Sequence, residues 1–263
     1  MMRGNPLVAE VLGGLSRRGY AHLYYLGLLA LQASALFVLW PKGGVDELLA
    51  AQHSPYALAA VVMAMGLSMA YFALRAGSEE ILLPGQHGLR DWALATPLGL
   101  GRILSGYVMG QIVHSLHQLA LSAPIILMAF TVSGGEWAAL GWCVAAALVQ
   151  ALFYRLCGAV THLVMGEHGA RSLFTVRTIL FMIYIPLGWI APVTSHLALT
   201  YHTLTESNAA QRASAASVDE GLFLAIYAVV AAAAAAIVYV LLLRERRRMS
   251  ASRQHADFGE AIT

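Results

Sequence analysis

Long apolar stretches alternate with short polar segments along this chain. A membrane-spanning helix needs about 20 mostly apolar residues, and six stretches approach or exceed that length. They are Ala21–Trp40, Tyr56–Leu74, Ile103–Val132, Trp137–Met165, Thr178–Thr200 and Gly221–Leu243. The pattern predicts an all-α, polytopic membrane protein with a six-helix transmembrane domain over residues 21–243.

Composition and charge placement support the same class of protein and orient it. Of the 263 residues, 59% are hydrophobic and 11% are charged, whereas soluble domains carry about 25% charged residues. All 16 lysines and arginines except Lys42 and Arg212 fall on one side of the predicted bundle. Because such an excess marks the cytoplasmic side, we expect both termini to be cytoplasmic in a multi-pass protein of the bacterial inner membrane.

The two ends of the chain are predicted to lie outside the spans. Residues 1–20 are predicted to form an amphipathic segment in the membrane interface, and residues 244–263 a cytoplasmic basic tail beginning "RERRRMSASR". The arginines of the tail suit a positive-inside anchor. Docking on a partner protein and binding of anionic lipid are the alternatives.

The segment between the second and third predicted spans is charged and amphipathic. In "HGLRDWALATPL", apolar residues recur at helical spacing around Trp92, whereas Arg90 and Asp91 point elsewhere. This spacing predicts a short helix lying in the membrane interface. Pro97 ends it, because proline disfavours helical geometry at the residue before it, here Thr96. An ordinary interfacial helix without a partner fits the same pattern.

This segment resembles a known family. "SEEILLPGQHGLRDWALATPLGLGRILSGYVMGQ" (78–111) is similar to the first cytoplasmic loop of ABC-2-type transporter permeases, in which an acidic residue precedes a short helix and an "L-L-A-T-P-L-S" run. "ALATPL" (93–98), followed by Ile103 and Gly106, matches that run in order and spacing. Glu79 or Glu80 stands at the position of the acidic residue.

The resemblance also has departures and a second, N-terminal part. Gly99 replaces the usual serine, and Tyr107 stands where a lysine is common. "NPLVAEVLGGLSRRGYAHLYYLGLLAL" (5–31) resembles the N-terminal segment of the family, which begins "N-P" and continues as an amphipathic helix into the first span. With six predicted spans, the resemblance extends over nearly the whole chain.

The resemblance implies a function in transport. In that family, the loop between helices two and three carries a coupling helix that docks on a separate cytosolic ATPase subunit. The chain is then expected to be the permease subunit of an ABC exporter, which pairs with a second permease copy and forms the translocation path within membrane lipid. ATP and Mg would bind to the ATPase subunit and not to this chain.

Two groups of residues are implied as contacts with the ATPase. The main group lies in the loop just described and comprises Glu79, Glu80, Arg90, Asp91, Trp92, Thr96 and Pro97. A secondary coupling loop lies in "GEHGARS" (166–172) and contributes Glu167, His168 and Arg171.

The sequence contains no motif for several other functions. A P-loop needs Gly-Lys-Ser/Thr at the end of a glycine-rich loop, and Lys42, the only lysine, stands in "WPKGG". The sequence also lacks the H-E-x-x-H, G-x-S-x-G and C-x-x-C patterns. We therefore predict no catalytic residue, no metal site, no cofactor and no nucleic-acid partner. The alternatives are an intramembrane enzyme that uses the polar cluster at the inner face, and a membrane anchor or scaffold subunit.

The third and fourth predicted spans carry polar residues inside apolar sequence. Gln111, His114, Gln118 and Ser122 recur every three or four residues and so share one face of a helix. They suit either a translocation path between two permease copies or hydrogen bonding between helices. In the fourth span, Arg155 is either a functional charge or a side chain that reaches the inner headgroups.

Overall fold

The computed structural model describes residues 5–16, 21–40, 55–78, 88–165, 195–205 and 220–260. Within these ranges all regular secondary structure is α-helical, and the helices are numbered here in chain order. They are α1 (Pro6–Ser16), α2 (Ala21–Val38), α3 (Pro55–Gly77), α4 (Leu89–Ala95), α5 (Leu100–Ser133), α6 (Trp137–Met165), α7 (His196–Thr205) and α8 (Glu220–Glu260).

Four of the described helices, α3, α5, α6 and α8, are long and apolar enough to cross a membrane. They coincide with the second, third, fourth and sixth predicted spans, and their apolar character is consistent with a transmembrane protein. Helix α2 is also apolar but has only 18 residues. Most of the predicted fifth span, residues 178–194, lies outside the described residues. Its last residues, from His196, belong to α7, which continues to Thr205.

Helix α3 occupies the centre of the bundle and approaches α6 closely. In its apolar span 67% of the residues are buried, compared with 28% in α8. A methyl group added at Gly158 of α6 would collide with the carbonyl oxygen of Leu74, and one added at Gly77 would collide with the carbonyl oxygen of Arg155. Such contacts between backbones require residues without a side chain, a common device where membrane helices cross.

A tight turn joins the end of α5 at Ser133 to the beginning of α6 at Trp137. Gly134 adopts a left-handed conformation with φ of 61°, which glycine adopts without steric cost. Its N–H donates to the carbonyl oxygen of Phe130 at 3.1 Å. The ring of Phe130 stacks on that of Trp137, with centroids 4.0 Å apart. Helices α5 and α6 are thereby held as an antiparallel pair.

Helix α8 is much longer than a membrane is thick. Its 41 residues extend about 60 Å at 1.5 Å per residue, whereas the hydrocarbon core of a bilayer measures about 30 Å. The helix runs without interruption through most of the segment predicted as a basic tail. Its C-terminal half therefore reaches α4, at the end of the bundle where α1 and the beginning of α5 also lie.

Candidate functional site

The short amphipathic helix predicted between the second and third spans is present as α4. The N–H of Gly88, just before the helix, donates to Asp91 Oδ2 at 3.3 Å. At the other end, Thr96 Oγ1 donates to the carbonyl oxygen of Trp92 at 2.6 Å, and Pro97 follows. A helix of seven residues is too short to be stable alone, so contacts with other helices must hold it in place.

The apolar side of α4 packs on the bundle rather than standing alone in lipid. Leu89 and Ala93 are buried and belong to a cluster that includes Leu100 and Ile103 of α5 and Leu242 of α8. Apolar burial of this kind contributes to stability in proportion to the area covered. The cluster therefore seats α4 against the beginning of α5 and the distal half of α8.

Trp92 joins α4 to α1. Its indole Nε1 donates to Glu10 Oε2 at 2.8 Å, and the ring is half-buried. The structure thus gives the Trp92 ring a specific acceptor from the N-terminal helix. A hydrogen bond to a carboxylate is stronger than one between neutral groups, so α1 holds the middle of α4.

Helix α1 is itself fastened to α5 by Asn5. The side-chain Oδ1 accepts from the N–H of Leu7 at 3.1 Å, as an N-cap residue does, and Nδ2 donates to the carbonyl oxygen of Arg102 at 2.9 Å. A methyl group on Gly106 would collide with the Asn5 amide. Asn5, the asparagine of "N-P", and Gly106, the glycine of "ILSG", thus lie against each other.

Arg246, on the distal part of α8, binds the C-terminal end of α4 through three backbone carbonyls. Its Nε donates to the carbonyl oxygen of Ala93 at 2.9 Å. Its Nη2 donates to those of Thr96 and Leu98, each at 2.8 Å. The last carbonyls of a helix lack partners within the helix, and a cation there is favoured by the helix dipole. In the sequence Arg246 is only one of the arginines of the predicted basic tail.

The two charged residues of α4 have different surroundings. Arg90 Nη2 lies 2.6 Å from Glu245 Oε1 of α8, and its side chain is 34% exposed. Asp91 is exposed. Arg90 therefore contributes to the attachment of α4 to α8, and Asp91 presents its carboxylate at the surface.

An open pocket of about 190 Å³ lies beside α4, lined by Asp91, Trp92, Ala95 and Thr96. The surface inside it is apolar, and the exposed residue Asp91 is one of those that line it. This combination suits one apolar side chain accompanied by a basic group. Asp91, Trp92 and Ala95 belong to α4 and Thr96 follows it, so the pocket depends on how the helix is seated, and the sequence alone did not predict it.

The structure brings together part of the predicted coupling set. Five members lie on α4 or immediately after it: Arg90, Asp91, Trp92, Thr96 and Pro97. The other members, in both predicted loops, lie outside the described residues: Glu79, Glu80, Glu167, His168 and Arg171.

The polar residues of α5 share one buried face, and that face contacts α2. The hydroxyl of Tyr25 lies 2.9 Å from His114 Nε2, and Gln32 Nε2 donates to Ser122 Oγ at 2.9 Å. Between these two bridges, both side-chain amide atoms of Gln118 are buried and have no hydrogen-bond partner in the described part of the chain. The face is thus covered within one chain.

Arg155 of α6 extends the same polar face. Its Nη1 donates to Gln111 Oε1 at 2.9 Å, and its guanidinium carbon lies 4.2 Å from the centroid of the Tyr107 ring, within cation–π range. Gln111 Nε2 in turn donates to Ser115 Oγ at 2.9 Å. The Arg155 side chain thus contacts α5, and its two interpretations, a functional charge or a side chain that reaches the inner headgroups, stay predictions.

Two further observations bear on the chemistry of the chain. Among the described residues, no group of three or more His, Cys, Asp or Glu side chains is arranged to hold a metal ion. Comparisons with protein-family models, curated proteins and solved structures gave no match. The resemblance to ABC-2-type permeases stays a prediction that rests on the quoted motifs.

Proposed function

We propose that this chain is the permease subunit of an ABC exporter of the ABC-2 type. In this proposal six helices span the inner membrane, both termini are cytoplasmic, and α4 is the coupling helix for a separate cytosolic ATPase. The observation that carries the proposal is the construction of α4. The helix is fixed to α1, α5 and α8 on one side, and it presents Asp91 and an apolar pocket on the other.

The surface of α4 indicates which kinds of side chain the ATPase would use to bind it. The pocket beside Trp92 receives an apolar side chain, and the exposed carboxylate of Asp91 pairs with a basic one. An apolar anchor in a pocket supplies most of the affinity in interfaces of this kind. A charge at the rim mainly sets encounter rate and register. Closure of the ATPase on ATP would then displace α4 against the bundle.

The translocation path is assigned to the interface of two permease copies, with the polar face of α5 as a secondary candidate. In the described arrangement α2 covers that face through the Tyr25–His114 and Gln32–Ser122 bridges. Substrate would reach Gln118 only after α2 and α5 move apart. Intramembrane polar groups are commonly placed on such paths.

Co-purification with the ATPase tests the proposal. The decisive variant combines Asp91→Arg with Ala95→Trp, which reverses the rim charge and fills the pocket. Arg90 is left intact because it pairs with Glu245, and its reversal would also unseat α4. We expect binding to weaken by at least about tenfold, since losing an anchor and a rim charge costs more than about 1.4 kcal/mol.

The matched control is Glu136→Arg, an exposed charge reversal on the turn between α5 and α6, at the opposite end of the bundle. Membrane insertion of all variants is checked in parallel. Wild-type affinity in the double variant would refute the docking role of α4. Turnover of a lipid or small substrate by the purified chain alone would favour the intramembrane enzyme instead.

A further inference from the structure

The linker between α4 and α5 is short and extended, and it would be the natural place for a hinge. Thr96 adopts φ −116° and ψ 148°, and Gly99, the residue before α5, adopts φ −62° and ψ 138°. Neither residue has helical dihedral angles, so α4 and α5 do not form one continuous helix. If the linker bent freely, a displacement of α4 would bend the linker and would not move α5.

Arg246 of α8 restrains this linker by binding backbone carbonyls of α4 and of the linker. Its three acceptors come from the last turn of α4, from the residue that ends the helix, and from the linker itself: Ala93, Thr96 and Leu98. Because the guanidinium is planar and presents its donors in a fixed fork, one side chain holds all three carbonyls in one relative position. Glu245, the preceding residue, adds the ion pair to Arg90 near the beginning of α4.

We propose that Arg246 is a positioning residue that joins α4, the α4–α5 linker and the distal part of α8 into one rigid body. A displacement of α4 is then passed to α8 as well as to α5. This inference rests on the proposed function for the source of the displacement. The rigid body itself is formed by residues of this chain and does not depend on the ATPase.

A spectroscopic measurement on the chain without its ATPase tests the rigid body. Spin labels are placed at Ala95→Cys and Met249→Cys, both exposed positions, after Cys143 and Cys157, the free cysteines of the described residues, are replaced by alanine. We expect a narrow distance distribution in lipid nanodiscs. Arg246→Gln should remove the narrow component, and Glu245→Gln should weaken it, while thermal unfolding confirms that both variants are folded.

Arg247→Gln is the matched control, because it removes the same charge from the next residue, whose side chain is exposed. It should leave the distribution unchanged. An Arg246→Gln distribution as narrow as that of the parent chain would overturn the proposal. Equal broadening by Arg247→Gln would also overturn it, because a general loss of positive charge would then explain the effect.

A second measurement tests the passage of motion to α8. Labels at Met165→Cys of α6 and Met249→Cys of α8 report the position of α8, and ATPase and ATP are then added. The parent chain should show an ATP-dependent shift, and Arg246→Gln should lose it while still binding the ATPase. A full shift in Arg246→Gln would overturn the route through α8. If the ATPase does not bind even the parent chain, the proposed function fails, and the measurement without ATPase still decides whether Arg246 fixes α4.

Discussion

Exchange of Gly158 for alanine should separate the two central helices. The methyl group would overlap three backbone atoms at the end of α3 and in the residue that follows it: the Leu74 carbonyl oxygen, the Ser78 nitrogen at 2.9 Å and the Gly77 carbonyl carbon at 3.0 Å. Backbone atoms cannot rotate away as a side chain can. Helix α3 or α6 must therefore shift, and Arg155, one turn before Gly158, would shift with it.

The size of the effect follows from a comparison with Gly141→Ala on the same helix. Gly141 has open space where its methyl group would go. Both exchanges gain the higher helix propensity of alanine, about 1 kcal/mol in water, so this gain cancels in the difference. What remains is the cost of overpacking, about 1–3 kcal/mol. Gly158→Ala should be less stable than Gly141→Ala by that amount.

Unfolding of the purified variants in mixed micelles, followed by circular dichroism or by proteolysis, measures this difference. Gly77→Ala overpacks the same crossing from the α3 side. Neighbouring sites are not additive, and a helix shift forced by one methyl group also makes room for the other. The double variant with Gly158→Ala should therefore cost less than the sum of the two single variants. Equal stabilities of Gly158→Ala and Gly141→Ala would show that α3 and α6 do not cross as described.

Three further variants test the contacts around the candidate site. Gln118→Met removes an amide without a hydrogen-bond partner in the described residues and should raise stability by about 1 kcal/mol; an unchanged stability with lost transport would instead assign Gln118 to the path. Trp92→Phe should lower the stability by about 1 kcal/mol and release α1 from α4, which faster protease cleavage near Glu10 would show. An unchanged cleavage rate would mean that the hydrogen bond between Trp92 and Glu10 does not hold α1 in place. Gly106→Ala should displace Asn5 and expose the same N-terminal segment to protease, and Gly101→Ala, with open space around it, is its control; equal protection in both variants would contradict the Asn5 contact.

The helical skeleton could be predicted from sequence because apolar length and periodicity are local properties. The ends of α6 coincide with the predicted fourth span, and α4 ends where the Thr96–Pro97 break places it. Likewise the common face of Gln111, His114, Gln118 and Ser122 follows from their spacing alone. Each of these predictions needs only neighbouring residues, and the structure confirms each of them.

The attachments of α4 could not be predicted, because they join residues that are far apart in the chain. Arg246 and Thr96 are 150 positions apart, and Glu10 and Trp92 are 82 apart. In the sequence Arg246 is one of several arginines after the last span, which the positive-inside rule explains equally well. Only the continuation of α8 beyond its apolar segment, which brings Arg246 to the end of α4, distinguishes it from Arg247.

The polar bridges between α2 and α5 have a consequence for how the chain is made. Gln32 and Ser122 are 90 positions apart, and Tyr25 and His114 are 89 apart. The ribosome therefore releases α2 well before its hydrogen-bonding partners exist. An unpaired glutamine is costly in hydrocarbon, and α2 is the short apolar helix of the bundle. If α2 spans the membrane, as the proposed function has it, we expect its stable integration to follow the synthesis of α5.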